Sequence, residues 1–202
     1  MLTVPRIETL ADFFDTYLEL PIDKVNWQGY AVPPKAKVHL AYVEGNGLAV
    51  RLFSDETDLL ATVNVPDGMV CRDSCLEAFS DFAPQVGKGY INFEINPFAA
   101  LHEALGVGRK GRCYTREMGV APTEPITSVS GDGWEAMFIV TLPHIEAIYG
   151  VSELNKGDII KANFYCCADD KPTGAYYASA FPIVTEQPDY HRPEFFAELI
   201  IG

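Results

Sequence analysis

Basic residues are scarce in this chain. Fifteen Lys and Arg stand against 28 Asp and Glu in 202 residues, a formal net charge of −13. A field of that sign repels phosphate backbones and anionic headgroups, which excludes nucleic acid and membrane surfaces as partners. No apolar run approaches the ~20 residues a membrane-crossing helix needs, and the first twenty residues lack the basic stretch and apolar segment of an export signal. A soluble cytoplasmic protein is expected, or an extracellular one if a leader has been removed. Cysteine is an odd five, at positions 71, 75, 113, 166 and 167, so reduced thiols are expected rather than a disulfide framework. Tryptophan occurs only at Trp27 and Trp134. Phosphate loops, dinucleotide fingerprints and Gly-x-Ser-x-Gly elbows are missing; Gly106-Val107-Gly108 lacks the third glycine.

What is present is an ordinary globular composition, 48% apolar and 21% charged, with no repeat and no long linker, so a single domain over residues 1–202 is expected, residues 1–34 being its least patterned part. Short apolar runs punctuated by Gly, Pro, Asn and Asp predict strands over residues 36–43, 48–54, 59–65, 74–81, 89–96, 134–142, 159–167, 175–183 and 194–201. The first two flank Glu44-Gly45-Asn46-Gly47, where Asn46-Gly47 supplies the positive φ angles of a hairpin. Helical spacing is confined to residues 8–19 and to short Pro-initiated segments over 97–105 and 143–149. The stretch 119–133 reads as a surface loop. This is a mostly β pattern, an antiparallel β-sandwich with short connecting helices.

Function is sought where alternation is cleanest. Over 89–96, Ile91, Phe93 and Ile95 point to one side and Tyr90, Asn92, Glu94 and Asn96 to the other. Over 74–79, Leu76 and Ala78 face the core and Glu77 joins the polar side. The bland reading is a solvated sheet face, on which outward-facing residues bury little. The sharper one is a site in which Glu77 and Glu94, on neighbouring strands, accept hydrogen bonds from sugar hydroxyls, with Arg109 or Arg112 at the rim. Paired carboxylates also suit glycoside hydrolysis.

Four segments carry a family resemblance in order: Asp73-Ser74-Cys75-Leu76-Glu77-Ala78-Phe79, Ile91-Asn92-Phe93-Glu94-Ile95-Asn96, Asn163-Phe164-Tyr165-Cys166-Cys167, and Pro188-Asp189-Tyr190-His191-Arg192-Pro193-Glu194-Phe195-Phe196-Ala197. Over about residues 35–202 the chain resembles the family 9-like carbohydrate-binding modules. The resemblance implies a jelly-roll β-sandwich that binds a mono- or oligosaccharide between two tryptophans, in the setting of carbohydrate catabolism, without catalysis of its own. It also allows structural calcium. The chain departs from the family at Ala180, where tryptophan is usual, and at Cys71, where an aromatic is expected. Tyr90, Tyr165, Tyr177 and Phe181 are the candidate replacement stacking surfaces, and Trp134 is assigned to the core.

Other chemistry is weaker. His191, between Asp189 and Glu194, suits a general base oriented by a carboxylate, but a structural role fixing the last strand is favoured, with Arg192 pairing an interior carboxylate. Cys166 and Cys167 point to opposite faces, and Cys71 and Cys75, if both extended, lie roughly 13 Å apart, so no zinc site is predicted. Asp55, Glu56 and Asp58, or Asp169 and Asp170, are hard oxygen donors without the spacing of a calcium loop. The expected function is therefore non-catalytic carbohydrate binding. The rivals are a small sugar-acting hydrolase or isomerase using Glu77, Glu94 or His191, and a degenerate module serving as a protein-interaction surface.

Overall fold

A computed structural model describes residues 2–202. Its strands are β1 (Leu2–Val4), β2 (Arg6–Ile7), β3 (Leu18–Ile22), β4 (Ala36–Val43), β5 (Gly47–Ser54), β6 (Cys75–Asp81), β7 (Tyr90–Ile95), β8 (Leu101–Gly106), β9 (Cys113–Tyr114), β10 (Ile126–Ser130), β11 (Gly133–Thr141), β12 (Ile159–Ala168), β13 (Tyr176–Ser179) and β14 (Ala197–Ile201). The single α-helix among the described residues, α1 (Leu142–Tyr149), starts at Thr141, whose hydroxyl accepts the His144 N–H, and ends at Gly150. That is the helix expected over 143–149.

The strands form two sheets. The first is eight-stranded in the order β1-β14-β12-β6-β7-β8-β9, with β13 also on β12; the second is six-stranded in the order β10-β11-β5-β4-β2, with β3 also on β4. The pairings are antiparallel except β1 with β14 and β2 with β4. Between the sheets lies one apolar layer to which β6 and β7 give Leu76, Ala78, Ile91, Phe93 and Ile95, and the facing sheet gives Leu40, Leu52, Trp134 and Phe138. Each such Leu, Ile or Phe side chain contributes about 1.5–3 kcal/mol by leaving water. The architecture is the expected β-sandwich, and Trp134 packs in its core.

Several local expectations give way. Residues 8–19 do not form a long helix: only Leu10–Phe14 makes a 3-10 turn, started by the reciprocal bonds of Thr9 and Asp12, and Leu18–Ile22 joins β4 as a strand. The sheet edge outcompetes the weak helical stripe. In place of a helix over 97–105, the Asn96 side chain accepts the N–H groups of Phe98 and Ala100, folding the chain back into β8. Residues 59–65 form no strand because their N–H groups go to side chains: Leu60 to Ser74, Thr62 and Val63 to Asp73. The loop expected over 119–133 contains edge strand β10, mostly exposed and so without an alternating signature. The hairpin between β4 and β5 is present, but its positive φ angles fall on Gly45 and Gly47, not on Asn46. Gly47 also lies so close to Val140 that a Cβ would collide with the carbonyl oxygen.

Candidate functional site

The outer face of the first sheet is not open to solvent. Glu77, Asn92, Glu94 and Asn96 point away from the sandwich core as the alternation requires, yet all are buried. A second apolar layer roofs them, drawn from segments flanking the strands: Trp27, Ile183, Tyr190 and Phe196 pack against Cys75, Phe79, Tyr90 and Tyr165. Tyr190 stacks on Tyr165 at 4.0 Å, and His191 sits 4.9 Å from the Phe79 ring. The Trp27 indole N–H donates to the Thr185 carbonyl, joining the two roofing segments. The expectation that an outward residue here buries little is therefore corrected: sequence alternation identifies the face but not what covers it.

Under the roof lies a cavity of about 150 Å³. Its floor carries Glu77 and Phe79 from β6, Glu94 from β7 and Cys167 from β12. Tyr177, Tyr190 and His191 form its walls, and Arg109, Asp189, Asp169 and Cys71 complete the lining. Glu77 and Glu94 are direct cross-strand partners, so two carboxyl groups share one dry floor. Burial and then the neighbouring Glu94 push the Glu77 carboxyl well above its usual range. Burial also raises Glu94, against the opposing pull of His102, a hydrogen bond from Asn92, and the two arginines. Two carboxylates that close cannot both ionise freely in a low dielectric.

At the rim Arg109 reaches Asp189 at 2.8 Å, and Asp189 also accepts the backbone N–H of His191. The Tyr177 hydroxyl donates to Asp169 at 2.8 Å, which sets the plane of its ring. His191 is not oriented by a carboxylate side chain: its Nδ1 meets the Tyr90 hydroxyl at 2.8 Å. Burial, then Arg112 and Arg109, depress the His191 pKa to about 3, so it stays neutral across ordinary pH. Arg192 pairs with Glu194 at the surface rather than with an interior group.

Of the nine residues expected at the site, Glu77, Glu94, Arg109 and Tyr177 line the cavity. The others do not. Tyr90 is fully buried beneath His191 and Phe196. Asn92 donates to Glu94 at 2.7 Å and accepts from Arg112, and so supports the floor from the side. Arg112 is not a rim residue: its guanidinium donates to the carbonyls of Tyr90, Ala104 and Gly108 and stacks 4.4 Å over the Tyr90 ring. Gly106 makes room for it, since a Cβ there would lie 2.9 Å from Arg112 Cγ. Asn96 spends its hydrogen bonds on Val63, Asp73 and the turn to β8. Phe181 packs against the inter-sheet core, the opposite side from the cavity.

Sequence reasoning missed Tyr190, Asp189 and Asp169 as lining residues, although Asp189-Tyr190-His191 stands within one of the four motifs. Its placement depends on a strandless segment crossing the sheet, which no periodicity announces. Asp73, within another motif, is structural: burial raises its carboxyl, but hydrogen bonds from Val63, Thr62 and Asn96 outweigh this and hold it below the usual range. Of the acidic groups that offer hard oxygen donors, Glu56 is bonded to Lys171 and Tyr176, and Asp170 to Arg72. All five cysteines are free thiols. Cys71 lies in a 3-10 turn (Val70–Arg72), not in an extended run with Cys75, and the register sets Cys75 opposite Cys167.

Comparison with known proteins places this architecture. The profile of carbohydrate-binding family 9 matches residues 10–201. The chain belongs to that family. Among solved structures, a candidate carbohydrate-binding protein from Bacteroides uniformis ATCC 8492 superposes with a TM-score of 0.81 at 24% identity, covering 100% of this chain and 98% of that one. A family 9 module from Caldicellulosiruptor kristjanssonii in complex with cellotriose gives 0.64 at 13% identity, over 99% and 92% of the two chains. The same organism's family 9 module in complex with glucose gives 0.63 at 14%, over 98% and 95%. At these identities the likeness concerns the fold. None of the curated proteins matches the chain significantly.

Proposed function

We propose that this family 9 member binds a small carbohydrate, a monosaccharide or the end of an oligosaccharide, in the cavity above β6, β7 and β12, and that it acts in carbohydrate catabolism as a binding protein rather than as a catalyst. The observation that carries the reading is the joint lining of one cavity by Glu77, Glu94, Arg109, Asp189 and the Tyr177 ring. Sugar hydroxyls need fixed acceptors and donors, which the carboxyl groups and the guanidinium provide, and the apolar C–H face of a pyranose suits an aromatic wall. Tyr177 and Tyr190 are the aromatic walls in a chain that has Ala180 and Cys71 where its relatives carry aromatics. The family and the sugars bound by the Caldicellulosiruptor modules support glucose and its β-linked oligomers as the first ligands to try.

Binding rather than hydrolysis is supported by the family itself, a carbohydrate-binding one, and by the cellotriose and glucose bound in the Caldicellulosiruptor modules. His191, held neutral with Nδ1 engaged by Tyr90, is a wall residue.

The test is calorimetry with glucose, cellobiose, cellotriose and xylose, together with a release assay for hydrolysed product. Saturable binding without product is expected. Glu94→Gln keeps the shape and removes the charge-assisted part of the hydrogen bonds, a loss of roughly 1–2 kcal/mol or about ten-fold in affinity. Turnover that falls by orders of magnitude in Glu94→Gln while binding survives would identify an enzyme. No binding of any sugar at millimolar concentration would remove the reading in favour of a protein-interaction surface.

A further inference from the structure

Cys75, Glu77 and Cys167 come together on the outer face of the first sheet. Cys75 and Glu77 are two residues apart on β6 and share its outer side; Cys167 is the cross-strand partner of Cys75 on β12. Their donor atoms all lie within 4.8 Å of one another, and Cys167 Sγ is 3.1 Å from Glu77 Oε1. All three residues are at most 2% exposed.

This cluster is poorly explained as packing. A buried carboxyl is ordinarily matched by a cation or several N–H donors, yet among the described residues the Glu77 side chain is met by thiols, weak donors, with Cys167 at 3.1 Å. Among the described residues, the charged groups around it add no cation within bonding distance. Glu94 faces it from β7, Asp169 lies beyond Cys167, Arg109 is paired with Asp189, and Arg112 is bonded to Asn92 and backbone carbonyls. The surroundings favour a positive ligand.

We propose that Cys75, Cys167 and Glu77 bind a thiophilic divalent cation, Zn²⁺, with the fourth coordination position turned toward the cavity. Two sulfurs at ~2.3 Å from zinc and an oxygen at ~2.0–2.2 Å occupy tetrahedral corners about 3.5–3.8 Å apart, so Cys167 Sγ and Glu77 Oε1, at 3.1 Å, open by a few tenths of an ångström while the wider pairs, at most 4.8 Å, close by about an ångström or less, within reach of χ1 adjustment. Two thiolates select zinc over calcium or magnesium, which take oxygen donors. On binding, the thiols and the carboxyl release their protons to solvent, and the three anionic ligands around Zn²⁺ leave a net charge of −1. Glu77 and Cys167 line the cavity whereas Cys75 lies behind them, which leaves the cavity side for water or a ligand oxygen. This site goes beyond sugar binding, and the two are measured separately.

The test uses the full chain, reduced and stripped with a chelator. Titration with Co²⁺ should give a thiolate-to-metal charge-transfer band with the intensity of two thiolates, saturating at one equivalent and displaced by Zn²⁺. Cys75→Ser and Cys167→Ser should each weaken Zn²⁺ binding, read by competition with a chromophoric chelator, by at least about 100-fold, more than loss of an outer-shell partner costs. Cys113→Ser, at an exposed cysteine elsewhere, should leave it unchanged. Absence of the band in the wild-type protein overturns the proposal, whether or not the variants fold. So does a band that persists in the Cys75→Ser/Cys167→Ser double variant, or a Cys75–Cys167 disulfide in the protein as isolated. Sugar calorimetry on the same stripped sample reports on the carbohydrate reading independently.

Discussion

The two sheets have outer faces built by the same alternation and treated in opposite ways. On the second sheet, Lys37, His39, Arg51, Phe53 and Glu135 form a charged, partly wetted surface. There Glu19 accepts from both Lys37 and His39 at 2.7 Å, Arg51 pairs with Glu135 at 2.7 Å, and both Lys37 and Arg51 lie over the Phe53 ring. Its far end is covered, where Phe13 packs on Ala41, Val43 and Ala49, and Tyr17 stacks on His39 at 3.8 Å. On the first sheet the outer face is roofed by Trp27, Tyr190 and Phe196. The same residue types, carboxylates, arginines and aromatics, are a solvated skin in one place and the lining of a cavity in the other. A carboxylate in the open is solvated and cheap to hold. Under a roof it must find partners or change its protonation, and for that reason the candidate site is on the covered face.

The largest test of this contrast is a pair of aromatic truncations. Tyr190→Ala removes a ring stacked on Tyr165 in a dry layer and should cost about 3–5 kcal/mol. Phe53→Ala on the other face should cost about 1 kcal/mol, mainly lost cation–π contact. Urea denaturation of both variants decides it, and equal losses would mean the roof is not a true second core.

Next in size is a pair of arginine replacements. Arg112→Met leaves Asn92 and three backbone carbonyls without their donor and should destabilise by about 3 kcal/mol. Arg51→Met breaks a half-exposed pair with Glu135 and should cost at most about 1 kcal/mol. Comparable values from thermal unfolding would erase the distinction between buried scaffold and surface pair.

The third comparison is carried by pH. Glu77, with its native pKa raised by burial and by Glu94, holds a proton that the unfolded chain releases above about pH 4.5. Stability therefore falls as pH rises through that window, by at most about 1.4 kcal/mol per unit. In metal-free protein Glu77→Gln should lessen this decline, so that the variant gains on the wild type as pH rises above about 4.5, Glu94 keeping a contribution of the same sign. Glu19, exposed on the other face and lowered by Lys37 and His39, has the opposite sign: its contribution is lost as pH falls. Solvent screening there keeps the change from Glu19→Gln small at every pH. A Glu77→Gln variant that fails to gain on the wild type as pH rises would refute the assignment of Glu77; the difference between the two proteins cancels His191, whose depressed pKa acts with the opposite sign below about pH 6.5.

Much of the sandwich is legible in the chain. Most of the central strands appear as alternating or short apolar runs, and the inner set Leu76, Ala78, Ile91, Phe93 and Ile95 follows from period two alone. The edges are not legible. Strands β1 and β2 are two or three residues long and β10 faces water, so each depends on a neighbour rather than on its own pattern. For the site, Glu77 and Glu94 are readable because their strands are regular. Arg112 and Asn96 mislead, since their type suits a ligand while their bonds go to backbone groups. Tyr190 and Asp189 are hidden because an irregular segment carries them across the sheet.

Alternation, turn chemistry and composition thus determined that this chain is a β-sandwich with a polar row on the outer side of β6 and β7, because side-chain direction in a strand is a local property. Only the tertiary structure decided that this row is roofed, that Glu77 meets Glu94 and Cys75 meets Cys167, and that Arg112 serves the scaffold. Those outcomes depend on cross-strand register and on where residues 26–30 and 183–196 come to rest. Both are set by contacts between segments far apart in the chain, which no local pattern encodes.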